Sequence, residues 1–117
     1  MPALTLAFRI GEKAGGIGFD WEKPEDVLSK IEEELLEVKE EIISGNVDKL
    51  EEEVGDLLFA VASLARKLDI EPETALKVAL KKFKMRFEKL EQVVVESDKS
   101  FSQYSLAELE DIWQKQK

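Results

Sequence analysis

A chain of 117 residues with 17 Lys and Arg against 26 Asp and Glu, net charge −9, has room for one hydrophobic core of modest size. That acidity disfavours a sequence-independent grip on nucleic acid or an anionic membrane surface, since both need phosphate neutralised by Lys and Arg, so a polyanionic ligand must bring a cation with it. Neither Cys nor His occurs, which excludes disulfides, thiolate chemistry, the commonest zinc ligand and the commonest acid–base group near neutral pH, and leaves the chemistry to carboxylates, Lys and Arg.

Residues Pro2 to Lys13 read as a short helix ended by the glycines of KAGGIGFDW. Pro24 suits the first turn of a second helix, in which Leu28, Ile31, Leu35, Val38 and Ile42 recur at steps of three and four until Gly45 stops it. Asn46 can cap a third helix whose seam is Val47, Leu50, Val54, Leu57, Val61, Leu64 and Leu68, so the two form an antiparallel hairpin around a very short turn. Pro72 opens a fourth helix with the seam Leu76, Leu80, Phe83, Phe87, Leu90 and Val94; the polar stretch Ser97 to Gln103 interrupts it. Ser105-Leu106-Ala107-Glu108 is a capping-box pattern that starts a short last helix carrying Trp113. No segment alternates as a strand does, and no internal repeat is present. The fold class expected is all-α, an antiparallel bundle of about five helices forming a single domain over residues 1–117. Apolar residues outside the third helix's seam, at Leu58, Phe59, Ala60, Ala62 and Ala65, ask for cover on more than one side, and a second subunit is the expected cover, as a homodimer or a dimer of dimers. With no signal peptide and no apolar run near about 18 residues, a soluble cytoplasmic protein is expected.

The carboxylates need an explanation beyond solubility. Glu34 and Glu37 are three apart on the second helix, and Glu53 and Asp56 are three apart on the third, so each pair lies on one side of its helix, one turn apart, beside the hairpin seam. Facing each other, they gather four oxygen-bearing groups whose mutual repulsion a hard divalent cation would relieve, with Mg²⁺ the first choice and Mn²⁺ the second. The competing reading of Glu33, Glu34, Glu37, Glu40 and Glu41 is a solvated charged face supported by Lys30 and Lys39. Asp56 weighs against it: an acid against Leu57-Leu58-Phe59, after Gly55 in mid-helix at a propensity cost of about 1 kcal/mol, calls for a compensating role.

GFDW at Gly18 to Trp21, the EExxE segment at Glu33 to Glu37, EEEVGDLLFAVASLAR at Glu51 to Arg66 and KFKMRFEKLE at Lys82 to Glu91 together resemble the MazG family of nucleoside triphosphate pyrophosphohydrolases. The resemblance covers nearly the whole chain, and its opening looks like the entry to the catalytic C-terminal domain of the two-domain members, so the chain is either an excerpt of a longer protein or a short member. It implies Mg²⁺-dependent hydrolysis of an NTP to NMP and pyrophosphate, metal ligands at Glu34, Glu37, Glu53 and Asp56, and nucleotide contacts at Lys30, Lys49, Lys82, Arg86, Trp113 and Lys117. Lys82 and Arg86, four apart on one helix, can reach the same triphosphate. Each of these cations also suits a surface salt bridge, and Trp113 suits core packing as well as base stacking. Glu33 and Glu52 are equally suited to activate water. The rival activities are dUTPase-like or phosphoribosyl-ATP pyrophosphohydrolysis, and the rival class is a non-enzymatic helical dimerisation module.

Overall fold

The computed structural model describes all 117 residues and contains five α-helices, one 3₁₀ turn and no strand. It resolves into two compact units, Met1–Ala75 and Leu76–Lys117. The all-helical expectation holds, and each helix start foreseen from Pro or a capping residue is found within a residue.

In the first unit, α1 (Ala3–Gly16) runs about a turn further than the glycines suggested. Glycine in a helix costs about 1 kcal/mol against Ala but does not forbid helical backbone. The chain turns out only at Gly18, whose φ of 89° lies in the left-handed region, and the Gly18 and Phe19 N–H groups fold back onto the Gly15 and Ala14 carbonyls, both at 3.0 Å. Helix α2 (Pro24–Ser44) begins with Pro in its first turn, where the missing N–H has no intrahelical partner to lose; the Asp26 carboxylate accepts the Lys23 N–H at 3.2 Å. Gly45, at φ 75°, ends it. Asn46 then accepts the Lys49 N–H at 3.2 Å and caps α3 (Val47–Lys67), which packs back along α2. Asp69, at φ 59°, closes α3, with the Ile70 N–H on the Ala65 carbonyl at 2.8 Å. Its short polar side chain is among the few that tolerate this conformation.

The faces buried within the unit differ from the expected seams. On α2 the buried residues are Val27, Glu34 and Val38, while Leu28, Leu35 and Ile42 are exposed. On α3 they are Ala60, Ala62 and Ser63, small residues on a helix packed by both α1 and α2, while Val54, Val61 and, just past the helix end, Leu68 are exposed. Apolar periodicity marks a stripe that avoids water; it does not say which neighbour covers it.

Helix α4 (Pro72–Glu96) starts with its first turn in the first unit, where the Glu71 carboxylate accepts the Thr74 N–H at 2.9 Å. In the second unit α4 continues to Glu96, burying Leu90 and Val94. A 3₁₀ turn at Phe101–Gln103 leads to α5 (Leu106–Lys115), started by the foreseen capping box: Ser105 Oγ accepts the Glu108 N–H at 3.1 Å and the Glu108 carboxylate accepts the Ser105 N–H at 2.9 Å. No helix is long and apolar enough to cross a membrane.

Candidate functional site

The α2–α3 hairpin brings Glu34, Glu37 and Glu53 together, with one carboxylate oxygen from each lying within 4.8 Å of the others. Glu34 is the most enclosed, only 6% exposed, and Lys30 one turn earlier donates to its Oε1 at 3.1 Å and to Glu33 at 3.4 Å. The second oxygens of Glu34 and Glu53 are buried without any hydrogen-bond donor. Oxygen is a strong acceptor, and leaving it dry and unpaired is costly. Glu37, between them, responds by holding its proton: hydrogen bonding to Glu53 and then Glu34, with burial and their like charge, raises its carboxyl from 4.5 to about 7. Three converging carboxyls with two orphaned oxygens and one trapped proton make a donor set that fits a hard divalent cation, whose charge would displace the proton and satisfy the oxygens.

Asp56 is not part of this trio. It lies one turn beyond Glu53 on α3 and is exposed, as are the neighbouring Leu58 and Phe59. Asp56 is therefore not a carboxylate buried against an apolar run within the single chain, and a Cβ on Gly55 would meet open space, so nothing in the structure explains that glycine. Glu33 and Glu52 are both exposed.

In the second unit, Lys82, Arg86, Trp113 and Lys117 line one cleft of about 560 Å³ together with Phe83, Lys89 and Gln116. Lys82, Arg86 and Lys89 stand at i, i+4 and i+7 along α4, one helical stripe, so the spacing that singled out Lys82 and Arg86 also contained Lys89. Trp113 packs against Phe83 with ring centres 4.9 Å apart, and the Arg86 guanidinium lies 4.2 Å from its centre. Its packing role is thus realised, and one Arg86 nitrogen remains buried without a partner. Lys49 is exposed in the first turn of α3, and Lys30 faces a separate cavity of about 370 Å³ with Phe19, Asp20 and Trp21. Asp20 was not singled out by sequence reasoning, although its motif was.

The chain is thus an all-helical protein with a carboxylate cluster on the helical hairpin of its first unit and a cationic cleft in its second. The model of the MazG nucleotide pyrophosphohydrolase domain matches residues 22–90, and the chain belongs to that family. The match takes in Lys30, Glu34, Glu37, Lys49, Glu53, Asp56, Lys82 and Arg86 and leaves Trp113 and Lys117 beyond it. Over its whole length the chain is 44% identical to a Thermotoga maritima protein named nucleoside triphosphate pyrophosphohydrolase/pyrophosphatase MazG and 40% identical to the nucleoside triphosphate pyrophosphohydrolase of Escherichia coli K12. The chain spans about half, 45%, of the length of each. A Bacillus subtilis protein, the uncharacterised YabN, is 37% identical over 68 residues, covering 58% of this chain and 14% of that protein.

Proposed function

We propose that this chain is a Mg²⁺-dependent nucleoside triphosphate pyrophosphohydrolase domain, with Mn²⁺ as the second candidate ion. The observation that carries the reading is the convergence of Glu34, Glu37 and Glu53 with two donor-less oxygens. Family membership and the names of the Thermotoga and E. coli relatives support it.

In this reading Glu34, Glu37 and Glu53 hold the cation, and Asp56 joins them by extending from the adjacent turn of α3. A cation bound there supplies charge neutralisation and Lewis-acid polarisation at the phosphorus centre. Lys82 and Arg86, with Lys89 on the same stripe, balance the charge of the departing pyrophosphate, and the exposed part of Trp113 offers a face for the base. Lys30, Lys49 and Lys117 contribute further positive charge towards the nucleotide. Water adds its oxygen to the α-phosphorus, the bridging α–β bond breaks, and the proton passes to a carboxylate such as Glu33 or Glu52. The Thermotoga and E. coli relatives match along all 117 residues, which supports taking residues 1–117 as one domain. The exposed apolar surface of α3, with Leu58 at 57%, Phe59 at 45% and Val61 at 48%, supports assembly into a homodimer or a dimer of dimers. The cytoplasm, where nucleoside triphosphates are held, is the compartment this activity implies.

The test is product analysis in ¹⁸O-labelled water with Mg²⁺ and a panel of NTPs that includes dUTP and phosphoribosyl-ATP. The expected outcome is label in the nucleoside monophosphate and intact pyrophosphate. NDP with inorganic phosphate would reject α-phosphorus attack, and no hydrolysis or nucleotide binding at all would favour a helical dimerisation module.

A further inference from the structure

The GFDW motif and the Arg66 that ends the long apolar stretch have no part in the chemistry above, yet they grip each other. Arg66 on α3 donates from its two terminal nitrogens to the two oxygens of Asp20, at 2.9 and 2.8 Å, and Lys67 adds a contact at 3.4 Å. Both partners are largely enclosed, with side-chain exposures of 11% and 19%. This planar fork-to-carboxylate geometry fixes orientation as well as distance. Helix α1 is built to let it pass: a Cβ on Gly11 would overlap Arg66 Nε, and one on Gly15 would lie 3.1 Å from an Asp20 oxygen.

The pair holds a loop. Asp20 sits in the middle of residues 17–23, which join α1 to α2, and its carboxylate also accepts the Trp21 N–H at 2.9 Å. Phe19 and Trp21 flank it, and these three residues with Lys30 line the cavity of about 370 Å³. Phe19 is 80% exposed, so no core contact fixes its position. Lys30, which completes the lining, is paired with Glu34 of the carboxylate cluster at 3.1 Å. Loop, cavity and cluster are therefore linked in series within the first unit.

We propose that Asp20 is a positioning residue: its pair with Arg66 holds the loop of residues 17–23 so that Phe19 and Trp21 stand as the wall of the Lys30 cavity, and this wall sets how tightly nucleotide is held without entering the bond-breaking step. The proposal rests on the pyrophosphohydrolase reading. Asp20→Asn preserves shape and removes the charge, Arg66→Lys preserves the charge and removes the fork, and Gly11→Ala pushes the Arg66 side chain aside while leaving both partners present.

The experiment measures kcat and KM for these three variants, together with acrylamide quenching of Trp21 fluorescence in a Trp113→Phe background without substrate. Expected is a KM raised about tenfold or more with kcat within about twofold, the pattern of lost binding that is equal in ground and transition states. Trp21 quenching should rise in parallel. A destabilising role alone would lower the active fraction, and so kcat, at constant KM. Unchanged KM, or unchanged quenching, in the variants that fold overturns the proposal. A wild-type protein that hydrolyses no NTP overturns the parent reading instead, and the quenching arm then decides by itself whether Asp20 positions the loop.

Discussion

Arg86 spans Trp113: its guanidinium lies 4.2 Å from the centre of the indole ring, and its Nε donates to the Trp113 carbonyl at 3.0 Å. One side chain thereby fastens α5 to α4 while one of its two terminal nitrogens, Nη2, lies buried without a partner in a cleft lined by Lys82, Lys89 and Lys117. Arg86→Lys keeps the charge but loses the planar fork and the ring contact. It should cost about 1 kcal/mol in thermal unfolding, and calorimetry with a non-hydrolysable NTP should show weaker binding. Wild-type affinity in this variant would remove Arg86 from the nucleotide site.

The proton on Glu37 sets a pH dependence. Hydrogen bonds to Glu53 and Glu34 raise its carboxyl from 4.5 to about 7, so between these values the native state keeps a proton that the unfolded chain has released. Stability rises with pH where the unfolded state binds more protons, and here it binds fewer. The metal-free protein should lose this contribution as pH rises from about 4.5 to about 7 and level off above. Denaturant unfolding in EDTA across that range, wild type against Glu37→Gln, isolates it. Identical slopes for the two proteins would mean that the three carboxylates do not share a proton.

Mg²⁺ should raise the melting temperature, because a ligand held only by the native state stabilises it by mass action, about 2.7 kcal/mol at a hundredfold excess over Kd. Glu53→Gln should abolish that shift. Asp56 is exposed, so Asp56→Asn should stay within about 0.5 kcal/mol of wild type in stability. Its turnover should nevertheless fall by more than the roughly 10- to 100-fold that supporting residues around a metal cost. Near-native turnover in Asp56→Asn would reduce the site to the three glutamates.

Sedimentation at micromolar concentration should show a dimer or larger, and Phe59→Glu, placed in the exposed apolar surface of α3, should shift it towards monomer. A compact monomer for the wild type would leave Leu58, Phe59 and Val61 without the cover proposed for them.

Helix positions were legible in the residues themselves. Pro24, Gly45, Asn46, Pro72 and the Ser105 capping box act through backbone geometry and hydrogen bonds within a few residues, so local sequence is sufficient to locate them. The i,i+3 spacing likewise placed Glu34 beside Glu37, and facing helices of a tight hairpin bring Glu53 to them. Tertiary packing decided the rest. It covered Val27, outside the expected seam, and of that seam buried Val38 while leaving Leu28 and Leu35 exposed, since a periodic stripe does not name its neighbour. It left Asp56 exposed, since burial depends on what lies opposite. It also joined Asp20 to Arg66 across 46 residues, through a gap at Gly11 that exists only once α1 lies on α3. Local rules act over a turn or two of chain, whereas a charge pair between distant segments forms only where the fold has already brought their backbones together.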